Sequence, residues 1–189
     1  PINVSPATTT TYIVTGISLG CTATSSATVI VNTNPVVTIT ASGDRTICLG
    51  QQSETLNATS TNAGTNFSWS SSQNTASITI NPDVTTVYSV TGTDAKGCTG
   101  TTSADVIVLP LPTVTASGPG VCSGTPSTLT ASGAVDYIWN NSVKEATQIV
   151  SPTSTTTYTV TGTDAEGCYN TGSVSVAVSQ NPTITAQGS

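Results

Sequence analysis

Residues 151–178 read SPTSTTTYTVTGTDAEGCYNTGSVSVAV. Tyr158 and Val160 fall on one side of an extended chain, and Thr157, Thr159 and Thr161 on the other. Strict alternation of this kind gives a strand one dry face and one wet face. The stretch DAEG reads as a tight turn. After it, SVSVAV alternates again, with Val174, Val176 and Val178 on the inner side. The phrase is therefore two half-buried strands joined by a turn. Nothing in it repeats at helical period.

The same phrase occurs at 81–108 as NPDVTTVYSVTGTDAKGCTGTTSADVIV, and at 5–31 as SPATTTTYIVTGISLGCTATSSATVIV. Three anchors fix the repeat. The tyrosines are Tyr12, Tyr88 and Tyr158, the following cysteines are Cys21, Cys98 and Cys168, and the prolines that open an alternating run are Pro35, Pro112 and Pro182. Successive cysteines and successive prolines are both 77 and then 70 residues apart. The expected organisation is a truncated repeat over 1–33 supplying strands E to G, full repeats over 34–110 and 111–180, and the first strand of a following repeat over 181–189. On this reading the chain is a window from a longer tandem array. Its ends are expected to need partners for Ile2, Val4, Tyr12, Val14 and Ile184.

Within 111–180 the strands read as TVTA from Thr113 (A), STLTA (B), DYIW (C), TQIV (E), TYTVTGT (F) and SVSVAV (G). About seven short strands with turns every 8–12 residues is the pattern of an immunoglobulin-like β-sandwich. The fold expected is all-β, with tandem immunoglobulin-like sandwiches arranged end to end. The joint Leu109-Pro110-Leu111-Pro112 carries two prolines and is expected to be stiff. Trp69 and Trp139 each fall on strand C, two residues after Phe67 and Tyr137. With Tyr12, Tyr88 and Tyr158 they are the expected core aromatics. A sugar-stacking platform is the rival role for the two tryptophans.

Composition excludes several functions. Charged residues make up 6 % of the chain and the net charge is −6, with Arg45, Lys96 and Lys144 the three cations. Nucleic-acid binding needs a cationic stripe to release counterions from phosphate, so no nucleic-acid partner is expected. No apolar stretch reaches membrane-spanning length, so no direct membrane insertion is expected. The chain has no His, which removes Ser-His-Asp and Cys-His chemistry. Its nine carboxylates stand singly in turns. No catalytic residue, cofactor site or metal site is assigned. Asp94 and Asp164, at the tips of strand F, are read as turn residues rather than calcium ligands, because no D-x-D-x-D-G loop is present. Lys96 and Lys144 are not expected to form isopeptide links.

VCSGTPSTLTASGAVDYIWNN (121–141) with SPTSTTTYTVTGTDAEGC (151–168), and ICLGQQSETLNATS (47–60) with FSWSSS (67–72) and VYSVTGTDAKGC (87–98), resemble the tandem Ig-like, PKD-related repeats of large secreted cell-surface adhesins of Bacteroidota. The Asp/Gly-rich motif of PKD domains proper is absent; WSSSQN and YIWNNS stand in its place. The resemblance covers essentially the whole chain. It implies type IX secretion, a cell-surface or extracellular location, and roles in adhesion and gliding motility. The function expected is a non-enzymatic stalk or shaft of a long adhesin or surface fibre. Its partners would be neighbouring repeats of the same chain and other copies in a fibre. The alternative is a glycan-binding or spacer module of a secreted polysaccharide-degrading enzyme.

Five cysteines in a secreted chain imply disulfides. Cys48 and Cys122 fall between strands A and B; Cys21, Cys98 and Cys168 follow the F–G turn. Two pairings are open. Within repeats, Cys48 would bond Cys98 and Cys122 would bond Cys168. However, the A–B and F–G loops lie at opposite poles of a sandwich, about 20 Å apart, and a disulfide needs Cα atoms within roughly 7 Å. That favours Cys48–Cys168, between repeats, with Cys21 bonded to a residue outside the window.

Overall fold

The computed structural model describes residues 1–187, which carry strands, turns and loops and no helix. The described chain divides into two compact units. One comprises Pro1–Arg45, Glu54–Ile80 and Thr86–Val106; the other comprises Thr46–Ser53, Asn81–Thr85 and the chain from Ile107 onward.

In the first unit β1 (Thr10–Ser18) and β2 (Cys21–Val29) form an antiparallel hairpin with Thr10 opposite Val29 and Ser18 opposite Cys21. Leu19 and Gly20 at its tip both have positive φ, the turn geometry that suits the right-handed twist of a hairpin. Seven strands follow along the chain: β3 (Val37–Ala41), β4 (Thr46–Cys48), β5 (Glu54–Ser60), β6 (Asn66–Trp69), β7 (Ser77–Ile80), β8 (Thr86–Thr93) and β9 (Thr99–Leu109), of which β4 and the end of β9 from Ile107 belong to the second unit. β3, β5 and β7 form one antiparallel sheet; β6, β8 and β9 form the facing one. Leu56, Trp69, Ile78, Val90 and Val106 are buried between them.

The second unit repeats the plan with β10 (Thr115–Ser117), β11 (Val121–Cys122), β12 (Ser127–Ser132), β13 (Asp136–Trp139), β14 (Thr147–Val150), β15 (Thr156–Thr163), β16 (Tyr169–Val176) and β17 (Val178–Ser179). The β10-β12-β14 sheet faces β13-β15-β16. Val114, Leu129, Ala131, Tyr137, Trp139, Val160 and Val176 form the core between them. Each fully buried Leu or Val contributes about 1.5–3 kcal/mol relative to leaving it exposed. The two-sheet order, with A-B-E against C-F-G, is an immunoglobulin-like sandwich.

Three features depart from the sequence reading. After strand A the chain crosses to the opposite sheet and forms a short parallel strand there. β4 pairs with β9, Thr46 to Ile107 and Cys48 to Leu109, and β11 pairs with β17. Cys48 and Cys122 therefore lie on short strands, not in a loop between A and B. The expected strand E of segment 1–33 is absent, and residues before Thr10 form no strand. A strand there would need a strand B to pair with, and none of the described residues supplies one. Val14 is correspondingly 67 % exposed and Ile2 is exposed with it. Residues 181–187 form no strand, and Ile184 is exposed; the last two positions of the 181–189 segment lie outside the described residues.

Candidate functional site

The side chains with chemistry gather at the F–G turns and at the loops after β4 and β11. The turn after β15 is built around Asp164. Its backbone N–H donates to Cys168 O (2.9 Å), and its Oδ1 accepts from the N–H of Cys168 (2.8 Å) and Glu166 (3.1 Å). Gly167 takes φ 85° to close the turn. The carboxylate thus does the turn work that its position in DAEG calls for, and it presents Cys168 at a fixed place.

Cys168 is bonded to Cys48, with S–S 2.00 Å, Cα–Cα 5.4 Å and a sequence separation of 120. It joins a cysteine of segment 34–110 to one of segment 111–180, and both are buried. Around the bond, Gln51 Nε2 donates to Tyr169 O and Gln51 Oε1 accepts from Tyr169 N–H at 3.3 Å. The amide therefore caps the backbone next to the disulfide. In the chain-entropy view a loop of this size stabilises the folded state by about 5 kcal/mol.

Cys21, Cys98 and Cys122 are unbonded; the first and last are exposed and Cys98 is half-buried. The pairs Cys48–Cys98 and Cys122–Cys168 do not form. Cys98 sits on a turn like that of Cys168. Asp94 N–H donates to Cys98 O (3.0 Å), and Asp94 Oδ1 accepts from Cys98 N–H and Lys96 N–H, both at 2.9 Å.

Asp94 does more than shape its turn. Its Oδ2 accepts from Asn62 Nδ2 (2.9 Å), whose amide also reaches Thr33 O (3.3 Å). Lys96 Nζ donates to Asn32 Oδ1 at 2.7 Å. The two contacts hold the segment between β2 and β3 and line a hollow of about 420 Å³ with Val31, Ala63 and Ala95. Asn62 chiefly, then the N–H groups of Cys98 and Lys96 and the Lys96 ammonium, hold the Asp94 carboxyl below the usual carboxylate range, against partial desolvation that pushes it up. The sequence alone gives Lys96 no asparagine partner; the structure gives it Asn32. The contact is a hydrogen bond from the exposed lysine.

Glu54 is the other carboxylate with a special setting, at 3 % exposure. Burial pushes its carboxyl up. Ser42 Oγ and the N–H groups of Gly43, Thr55 and Ser42 outweigh that and hold it below its usual value. Glu54 Oε1 accepts from Ser42 N–H (2.9 Å), Gly43 N–H (3.1 Å), Thr55 N–H (2.9 Å) and Ser42 Oγ. At the matching place in the second unit, buried Ser127 donates Oγ to Pro119 O at 2.8 Å. In both units a buried polar side chain at the start of strand B ties down the crossover that follows strand A.

Trp69 and Trp139 are buried, and their Nε1 groups donate to Thr75 O (2.8 Å) and Glu145 O (2.9 Å). Both indoles are core pieces with no face open for stacking on a sugar. Tyr88 is buried, Tyr158 packs half-buried against the core, and Tyr12 is half-buried on the hairpin. No three of His, Cys, Asp and Glu gather among the described residues.

No protein-family model matches the chain. No curated protein matches it in sequence. Among solved structures, the chain is similar to a Ca2+-stabilized adhesin that helps an Antarctic bacterium reach out and bind ice, at 16 % identity and TM-score 0.42, covering 93 % of this chain and 58 % of that one. It is similar to a 1.5-MDa bacterial ice-binding adhesin studied for host cell surface retention, at 19 % identity and TM-score 0.43, covering 86 % and 71 %. A third match is SGBP-B of the Bacteroides ovatus mixed-linkage glucan utilization locus in complex with a heptasaccharide, at 16 % identity and TM-score 0.31, covering 78 % and 48 %. The chain thus spans little more than half the length of the first of these.

Proposed function

We propose that the chain is a non-enzymatic structural segment, the stalk or shaft of a long extracellular bacterial adhesin or surface fibre. The observation that carries this reading is the Cys48–Cys168 bond, which ties one sequence repeat covalently to the other. A disulfide between sequence repeats belongs to an oxidising compartment and resists separation under load. The outward faces of the sandwiches support the same reading. They are hydroxyl-rich, as where Thr91 meets Thr101 (3.0 Å) and Thr38 meets Thr59 (2.7 Å) across strands, and they are sparing in charge. Asp94, Asp164 and Glu54 each have a carboxylate oxygen engaged by backbone N–H groups, which ties down turns and the crossover after strand A. The finer reading, surface repeats of Bacteroidota exported by the type IX route and used in adhesion and gliding, is supported by the sequence resemblance.

The alternative, a glycan-binding or spacer module of a secreted polysaccharide-degrading enzyme, is separated by a glycan array probed with the oxidised chain. A stalk shows no saturable binding. Saturable binding to one glycan class would overturn the stalk reading.

A further inference from the structure

We propose that the Cys122 loop is a docking surface for the F–G turn of a second copy of this chain, joined through a disulfide from Cys122 to that copy's Cys21 or Cys98. The inference rests on the structural reading above, in that both require repeats of this kind to join through cysteine.

Both halves of the Cys48–Cys168 joint occur a second time in the chain, unbonded. On the acceptor side, Cys48 ends a parallel strand opposite Leu109, and Cys122 ends one opposite Ser179. The next residue's N–H donates across to the same partner strand: Leu49 to Leu109 O at 3.0 Å, and Ser123 to Ser179 O at 3.0 Å. Gly50 (φ 67°) and Gly124 (φ 75°) then turn the chain. The turn closes with Gln51 N–H on Cys48 O (3.1 Å) and Thr125 N–H on Cys122 O (3.0 Å). The two loops share these backbone hydrogen bonds, and Gly124 N–H adds one to Pro152 O at 3.0 Å; yet Cys48 is buried beneath Cys168 and Cys122 is exposed. On the donor side, Asp94 presents Cys98 through the hydrogen bonds by which Asp164 presents Cys168. Cys21 ends the tip of the β1–β2 hairpin.

Among the described residues there are thus one acceptor loop and two donor cysteines, of unlike shape, that carry no disulfide. A contact between unlike surfaces is heterologous, so when it does not close into a ring it propagates head to tail into a linear chain. The bond forms by thiol–disulfide exchange with a small disulfide oxidant such as oxidised glutathione. The F–G thiol first becomes a mixed disulfide with release of one glutathione. The Cys122 thiolate then attacks the protein sulfur and the second glutathione leaves as thiolate. Two protein thiols are oxidised and one glutathione disulfide is reduced.

One difference sets the strength of the joint. Gln51 clamps the backbone beside Cys168, whereas the matching residue, Thr125, spends its hydroxyl on Cys122 O at 2.7 Å. Docking at Cys122 therefore relies on the covalent bond.

The test incubates the full chain with oxidised glutathione at several protein concentrations, followed by non-reducing electrophoresis and peptide mapping. The expected result is a concentration-dependent ladder whose cross-linked peptides pair Cys122 with Cys21 or Cys98. The ladder should be abolished by C122S and by the C21S/C98S double variant. T125Q, which restores the amide clamp, should speed cross-linking several-fold. A ladder built on Cys122–Cys122 pairs, a Cys122 that stays fully alkylatable while Cys48–Cys168 is intact, or a T125Q rate equal to the parent would overturn the proposal. None of these outcomes depends on glycan binding, so this proposal and the stalk reading fail separately.

Discussion

A Cβ added to Gly162 on strand F would stand 2.7 Å from Val114 Cγ2 on strand A, and one added to Gly92 would stand 2.7 Å from Val37 Cγ2. The glycine in the repeated VTG is therefore the seat on which strand A rests its valine. Gly16 occupies the same place in the β1–β2 hairpin, where an added Cβ meets nothing closer than Ala23 O at 4.0 Å.

This difference predicts opposite outcomes for one substitution. Gly162→Ala overpacks the core and should destabilise the chain by about 1–3 kcal/mol. Gly16→Ala adds a side chain to an open strand position and should be neutral or stabilising by up to about 1 kcal/mol. Urea midpoints of the two variants check the pair; equal losses would show that the valine contact is not what fixes the glycine.

Gln148 makes a second prediction. It points into the second unit at 7 % exposure, while its neighbour Ile149 is 72 % exposed. Asn141 Nδ2 donates to Gln148 Oε1 at 2.6 Å, but Gln148 Nε2 has no partner. In the first unit an isoleucine, Ile78, is buried on the matching strand β7. A buried unsatisfied donor costs about 1–3 kcal/mol. Gln148→Ile should therefore raise the urea midpoint by the equivalent of about 1 kcal/mol or more, and a fall would show that the Asn141 contact outweighs the orphaned amide.

The repeated strand pairs were legible because β15, β16 and their counterparts are long and alternate cleanly, so period two separates Tyr158 and Val160 from Thr157 and Thr159. β4 and β11 were not. Two or three residues carry no period, and their parallel pairing with β9 and β17 is made by residues far away in sequence. The face of β14 was hidden for a related reason: Thr-Gln-Ile-Val offers too little apolar contrast to show that Gln148 is the inward residue. The two classes of cysteine were visible from spacing, but the clamp of Asn62, Asp94 and Lys96 on residues 32 and 33 was not. It depends on a loop, a turn and a connecting segment that only the tertiary fold brings together.

Glu54 predicts a pH dependence. Its folded carboxyl is held below its usual value by Ser42, Gly43 and Thr55. A carboxyl lowered on folding contributes stability that is fully present above its unfolded value, near 4.3. That stability is lost as pH falls past this value toward the lower folded one. Unfolding free energy should therefore drop with acidification below about pH 5, and Glu54→Gln should flatten part of that slope while lowering stability at pH 7. A parent and variant with parallel pH profiles would rule Glu54 out as the source.

The last prediction concerns the staple itself. Cys48 and Cys168 enclose a 120-residue loop, and in the chain-entropy model closing a loop of this length restricts the unfolded chain by about 5 kcal/mol. Cys168→Ser should remove that restriction, leave Cys48 as a fourth free thiol beside Cys21, Cys98 and Cys122, and leave Gln51 as the contact that remains to Tyr169. The parent should show a large gap between its urea midpoints under oxidising and reducing conditions, and the variant should unfold at the parent's reduced midpoint under both. The effect should fall on the second unit, which holds both cysteines, so hydrogen exchange should rise most in β4, in β11 and β17, and around the Asp164 turn. The β1–β2 hairpin should exchange as before. A parent whose midpoint does not respond to reductant would show that the bond adds nothing to a joint already held by packing.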